Sequence, residues 1–278
     1  MSLIASLWPA RTNFRPRPGE VRFESDLPYA GPDGDPLQCL DLVSPLDAKG
    51  APLVLFVHGG AWRKQSRRLW RPWSGLYTNV GLALARRGIV TALLGYRQSP
   101  ATLAVDDVRR AAAWLRAWGS DVGCLDALVL VGHSAGGHLV AWLGTRGGES
   151  PAGIVTLGGF GCPSTMAQRM GPSGERLARL YPSDDARQWN VREALGPTTP
   201  PWLAMVAERD PVAIRAEHDD LTRAAVVASA PVRASLVPQL GHMGLVLTIG
   251  AERDAIGAKV GDFVHEVASD PSPHTRCG

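Results

Sequence analysis

The chain has 278 residues, of which 45% are hydrophobic and 20% charged, a balance that suits one large α/β domain and excludes wholesale disorder. Lys and Arg number 29 against 26 Asp and Glu, and the resulting net charge of +3 is too small to imply a nucleic-acid partner. The four cysteines, Cys39, Cys124, Cys162 and Cys277, form no CxxC pair and no ligand-like spacing to histidine, so free thiols in a reducing compartment are expected.

Residues 1–8 are apolar but short, lack a preceding basic residue and run into Pro9 and Arg11. No export signal is expected, and the reading is cytoplasmic. Two runs with β character, residues 21–25 and 37–43, flank the turn-like Gly31-Pro32-Asp33-Gly34 and predict an antiparallel edge. From residue 53 the pattern changes. Residues 53–57 are a continuous apolar run, as in a strand covered on both faces, and similar runs recur at 89–94, 128–131, 154–157, 203–207 and 232–237. The clearest helix between them is 105–118, with Val108, Leu115 and Trp118 near one face. Residues 127–145 are uncharged yet broken by glycines and histidines, which predicts strand, turn and helix, not an integral membrane segment. Strands alternating with helices predict βαβ units and a mainly parallel sheet. The alternation breaks at 160–201, where short helix-like pieces such as 174–180 and 184–195 are punctuated by prolines; a small helical cap-like insertion within one domain spanning 1–278 is the reading.

The strongest local signal is Gly132-His133-Ser134-Ala135-Gly136, a G-x-S-x-G pattern set between a predicted strand and a predicted helix. Glycines are needed there because the chain turns sharply and leaves the serine strained, with its hydroxyl exposed. His58-Gly59-Gly60-Ala61-Trp62 follows the strand at 53–57. Small residues let main-chain amides approach an oxyanion, and Gly60, Ala61 and Ala135 are the expected donors. A serine needs a base, and the base an orienting carboxylate. Asp210 lies just past the strand at 203–207 and His242 beyond the strand at 232–237. Glu208 is the rival acid; Asp210 is preferred because the loop has then cleared the strand and Pro211 can start a helix. The order Ser134, Asp210, His242 is the one this topology requires.

These motifs, with Tyr96-Arg97 after the next strand, resemble the esterase branch of the α/β-hydrolase superfamily that carries an HGG-type oxyanion motif, including hormone-sensitive-lipase-like enzymes, carboxylesterases and arylformamidases. The resemblance spans residues 37–267. Ala61 stands where lipase-like members have a third glycine, and HGG-x-Trp with His133 before the serine is similar to formamidases and prenylcysteine methylesterases.

The reading is therefore an α/β-hydrolase fold acting as a serine carboxylesterase on small soluble acyl esters, with no cofactor and no metal: no HExxH, phosphate-binding loop or dinucleotide fingerprint occurs. Trp62 and His133 are the expected substrate-binding residues. Residues 62–73 interleave tryptophans with basic residues and read as a rim beside the site, with no nucleic acid bound. Tyr96 and Arg97 are expected to brace loops. A homo-oligomer is compatible with the sequence. The alternatives are formamide hydrolysis, a prenylcysteine-methylesterase-like activity, and a silent scaffold that only binds a ligand.

Overall fold

A computed structural model of the chain describes residues 19–60, 66–68, 76–181 and 186–270. Eight strands form one sheet in the order β1-β2-β4-β3-β5-β6-β7-β8. They are β1 (Arg22–Pro28), β2 (Cys39–Ser44), β3 (Leu53–Val57), β4 (Val90–Leu94), β5 (Leu128–His133), β6 (Gly153–Leu157), β7 (Trp202–Arg209) and β8 (Val232–Gly241). β1 pairs antiparallel with β2 and β2 with β4, which is the predicted antiparallel edge. From β4 through β8 every pairing is parallel.

The central strands are buried at every position because each face of the sheet packs a separate core. Leu53, Leu55 and Val57 of β3 join Leu128 and Leu130 of β5 in one cluster, while Val54, Phe56, Val129 and Val131 join the other. Alternate residues point to opposite faces, so a run that looks uniformly hydrophobic is two interleaved half-cores. Helices α1 (Thr78–Ala85), α2 (Ala101–Asp121), α3 (Ala135–Thr145), α6 (Val212–Val227) and α8 (Ala255–Ala268) cover the two faces, with the single turn α7 (Gly244–Leu247) after β8. α2 extends the helix expected at 105–118 by about a turn at its start and three residues at its end, and it buries Val108 and Leu115.

The run at 232–237 departs from its expectation. β8 ends the sheet, its residues are half-buried or exposed, and Leu236 is 60% exposed. An apolar run specifies a strand, but whether neighbours cover it is decided by its place in the strand order.

Between β6 and β7 the chain forms α4 (Pro163–Arg169), a 3-10 turn at Gly171–Gly174, α5 (Glu175–Leu180), and further 3-10 turns at Ala186–Trp189 and Val191–Ala194. The helix expected over 184–195 is thus two single turns, each too short to propagate. Glu217 of α6, fully buried, ties this insertion to the sheet domain. It accepts from the Cys162 amide at 3.0 Å, from Thr165 Oγ1 and from Arg169, both at 2.5 Å. Among the described residues no helix is long and apolar enough to cross a membrane. Cys39, Cys124 and Cys162 are free thiols.

Candidate active site

β5 runs into α3 through Ser134, whose φ of 55° lies in the left-handed region that non-glycine residues avoid. Two glycines make the turn sterically feasible. A Cβ on Gly132 would sit 2.3 Å from the Gly136 carbonyl oxygen, and one on Gly136 would sit 2.1 Å from that of Val57. The strain is held in place by the sheet: the Ser134 amide donates to the Leu157 carbonyl at 2.9 Å. Ala135 opens α3, so its amide is one of the helix N-terminal donors without an intrahelical acceptor.

The loop after β3 lies directly against this elbow. A Cβ on Gly59 would meet the Ser134 Cβ at 2.9 Å, and Gly60 follows with φ of 113°. His58 fixes the loop from beneath. Its Nδ1 donates to the Gly59 carbonyl at 2.7 Å, its own carbonyl accepts from Tyr96 Oη at 2.9 Å, and its ring packs 4.5 Å from that of Tyr96. Burial pushes the imidazole down to about 4, the hydrogen bond to Gly59 opposing, so His58 is neutral near neutral pH. Tyr96 therefore braces the loop, and Arg97 braces the start of α2 by gripping the buried Asp107 carboxylate at 2.5–3.1 Å. Ala61 and Trp62, with residues 63–65 and 69–73 of the basic and aromatic run, lie outside the described residues.

The two later loops bring an acid and an imidazole together. Asp210 Oδ1 is 2.5 Å from His242 Nδ1, and Asp210 Oδ2 accepts from the Ala207 amide at 2.6 Å. The carboxyl is buried, with Asp210 5% exposed. Glu208, the rival acid, is exposed and accepts from the Gln239 amide at 2.7 Å. The imidazole reaches the elbow's neighbour: a Cβ on Gly158 would be 2.9 Å from both Cε1 and Nδ1 of His242. Gly158 directly follows the residue that Ser134 bonds. Among the hydrogen bonds of the described residues there is none between Ser134 Oγ and His242, and such bonds commonly tighten only when substrate is present.

His133, expected to bind substrate, is instead buried behind His242 at 1% exposure. Its Nε2 donates to the His242 carbonyl at 3.3 Å, its Nδ1 accepts from Tyr77 Oη at 3.3 Å, and the two imidazole rings lie 4.8 Å apart. Successive residues of a strand point to opposite faces, so the residue before an outward-facing serine points inward.

Ser134 and Ala135 open into a cavity of about 350 Å³. Its other walls come from Phe160, from α4 and α5 through Met166, Leu177 and Leu180, and from Ile214 of α6. No sequence motif singled out these residues, because all but Ile214 fall in the insertion, where apolar residues have no regular period. Among the described residues no cluster of His, Cys, Asp and Glu could hold a metal ion.

The comparisons agree with this architecture. The BD-FAE family model matches residues 40–155. An isoprenylcysteine alpha-carbonyl methylesterase of Arabidopsis thaliana is 34% identical over 114 residues, 38% of this chain and 24% of that protein. The kynurenine formamidase of Danio rerio is 32% identical over 120 residues, 42% of this chain and 36% of that protein. The matches thus span about a quarter to a third of the length of these relatives. The crystal structure of esterase B from Lactobacillus rhamnosis superposes with a TM-score of 0.76 at 19% identity, covering 92% of this chain and 89% of that one. The chain has the α/β-hydrolase fold. The BD-FAE match runs from β2 through the loop after β3 and the serine elbow into β6.

Proposed function

We propose that the chain is a serine carboxylesterase acting on small acyl esters, with Ser134 as nucleophile, His242 as base and Asp210 as its orienting acid. One observation carries the reading. A serine held at positive φ on a strand-to-helix elbow borders, through Leu157 and Gly158, an imidazole already hydrogen-bonded to a buried carboxylate.

The chemistry follows from that arrangement. Asp210 accepts a hydrogen bond from Nδ1–H of His242, which fixes the tautomer with Nε2 free to take the proton of Ser134 Oγ as it attacks the carbonyl carbon. Negative charge gathers on the carbonyl oxygen, where the amides of Gly60, Ala61 and Ala135 are the donors that would receive it. The C–O bond to the alcohol then breaks, and the alkoxide takes the proton from His242. Water, deprotonated by the same imidazole, attacks the acyl-serine and returns Ser134 to its hydroxyl form. The chain supplies every group this cycle needs, so the reading includes no metal or organic cofactor.

The test is hydrolysis of 4-nitrophenyl acetate by the wild type and by Ser134→Ala. The variant is expected to lose about four to six orders of magnitude in kcat. Residual activity near that of the parent contradicts the reading. Formamide hydrolysis is the second reading, favoured by the similarity to a kynurenine formamidase. A higher kcat/KM on N-formylkynurenine than on the nitrophenyl ester would replace the first reading by the second.

A further inference from the structure

The cavity beside Ser134 has mainly apolar walls and, among the described residues, a single charged lining residue, Arg176 of α5, accompanied by the hydroxyl of Ser173. No carboxylate among the described residues lines it. Three neighbouring arginines of the insertion have acidic partners: Arg169 pairs with Glu217 and Asp220, Arg192 with Asp220, and the exposed Arg179 with Glu175 at 3.7 Å. Arg176 alone among these four has no acidic partner among the described residues. A guanidinium keeps its charge at any working pH and presents a planar fork that matches a carboxylate. Arg176 and Ser173 are exposed at the cavity's mouth, where the end of a bound chain would meet them and where salt screens the attraction.

We propose that this cavity selects esters in which an apolar chain ends in a carboxylate, with Arg176 as the residue that recognises the anion. The inference rests on the esterase reading and names its substrate class: half-esters of dicarboxylic acids, or esters of ω-hydroxy acids, according to which side of the ester enters the cavity. Hydrolysis itself is unchanged. One ester C–O bond is replaced by a C–O bond to water's oxygen, and the remote carboxylate is a bystander held by charge.

The test uses isosteric pairs that exchange a terminal methyl for a carboxylate. On the acyl side these are methyl hexanoate and monomethyl adipate, and on the alcohol side hexyl acetate and 6-acetoxyhexanoate. The readout is the ratio of kcat/KM, anionic over neutral. For the pair that fits, Arg176→Gln is expected to lower this ratio about tenfold, Arg176→Glu to lower it further and Arg176→Lys to restore part of it, and about 0.5 M salt should erode the wild-type ratio. An identical ratio in wild type and Arg176→Glu for both pairs overturns the assignment and leaves Arg176 a solvated surface cation. Calorimetric titration of the same pairs into Ser134→Ala, with and without Arg176→Glu, reads the charge preference without turnover. A preference in binding with no ester hydrolysis contradicts the esterase reading alone, whereas hydrolysis without any charge preference contradicts the role of Arg176 alone.

Discussion

His133 donates its Nε2 proton to the backbone carbonyl of His242, with the two rings 4.8 Å apart. The residue next to the candidate nucleophile thus holds the loop that carries the candidate base, and Tyr77 holds His133 in turn at 3.3 Å. Replacing His133 by Leu removes the donor while keeping bulk. A displacement of the base by about 1 Å can lower a rate on the order of a hundredfold. The expected result is a kcat lowered ten- to a hundredfold with KM changed far less, and Tyr77→Phe should show a smaller loss in the same direction. Steady-state kinetics with a thermal melt for each variant checks this. A fall in melting temperature with kcat intact would limit His133 to a structural part.

Three histidines are buried and kept neutral, chiefly by loss of hydration. His58 and His138 are pushed down to about 4, and His133 lies well below the ordinary value. His138 donates from Nε2 to the Trp189 carbonyl at 2.9 Å and accepts from Tyr181 Oη at 3.0 Å, joining α3 to the insertion. The unfolded chain protonates these rings near pH 6.5, so between that pH and the folded values it binds protons that the native protein does not. Stability therefore falls as pH falls through this window, each histidine adding about 1.4 kcal/mol per pH unit to the slope. Urea unfolding from about pH 7 to about pH 4.5 should show that decline, and His138→Gln should flatten it by one proton's share. A midpoint independent of pH over this range would contradict the neutral assignments.

Gly136 offers no room for a methyl group, since its Cβ would lie 2.1 Å from the Val57 carbonyl oxygen and 2.6 Å from that of His58. Both contacts are backbone and cannot turn aside. Gly136→Ala should destabilise the protein by more than about 3 kcal/mol or prevent soluble expression. Gly250→Ser, at a φ of 82° with its nearest neighbours at 3.5 Å or beyond, is the comparison at a strained but open position and should lose on the order of 1 kcal/mol. Chemical denaturation of both variants measures the difference.

Glu217 is the buried anchor of the insertion, with Arg169, Thr165 and the Cys162 amide as its donors. Glu217→Ala leaves these donors unmet and should cost about 3 kcal/mol, the lower part of the range for a broken buried pair because Arg169 is partly exposed. The effect should concentrate in α4, which carries Met166 on the cavity wall. Hydrogen exchange is expected to rise in residues 162–170 more than in β5 or α3. Uniform acceleration across the sheet would contradict a local clamp.

The fold was largely legible because its signals are local. Residues 53–57 and 154–157 give strands at or within a residue of their predicted bounds, since a fully buried strand has no polar alternation to confuse its reading. The elbow was legible too, because a serine at positive φ requires glycine at defined neighbours. What could not be read depends on parts of the chain far apart in sequence. β8 is an exposed edge because no strand among the described residues pairs beyond it. His133 points inward by strand alternation, but its burial comes from the loop after β8, whose His242 carbonyl it meets. The apolar cavity wall and Arg176 sit in short pieces broken by prolines, where spacing carries no period. Asp210 is preferred over Glu208 because two residues further on the loop has cleared the strand and Pro211 can start a helix; β7 ends at Arg209, and the 2.5 Å contact to His242 favours the same choice.

The most direct measurement of the central claim is covalent labelling with a fluorophosphonate, followed by mass mapping of the modified peptide. The label is expected on Ser134 and on no other serine, at a rate that falls steeply in His242→Ala and less in Asp210→Asn, because only an imidazole placed to take the proton makes this hydroxyl reactive. A protein that stays unlabelled, that is labelled at another serine, or that labels equally fast without His242 would contradict the account.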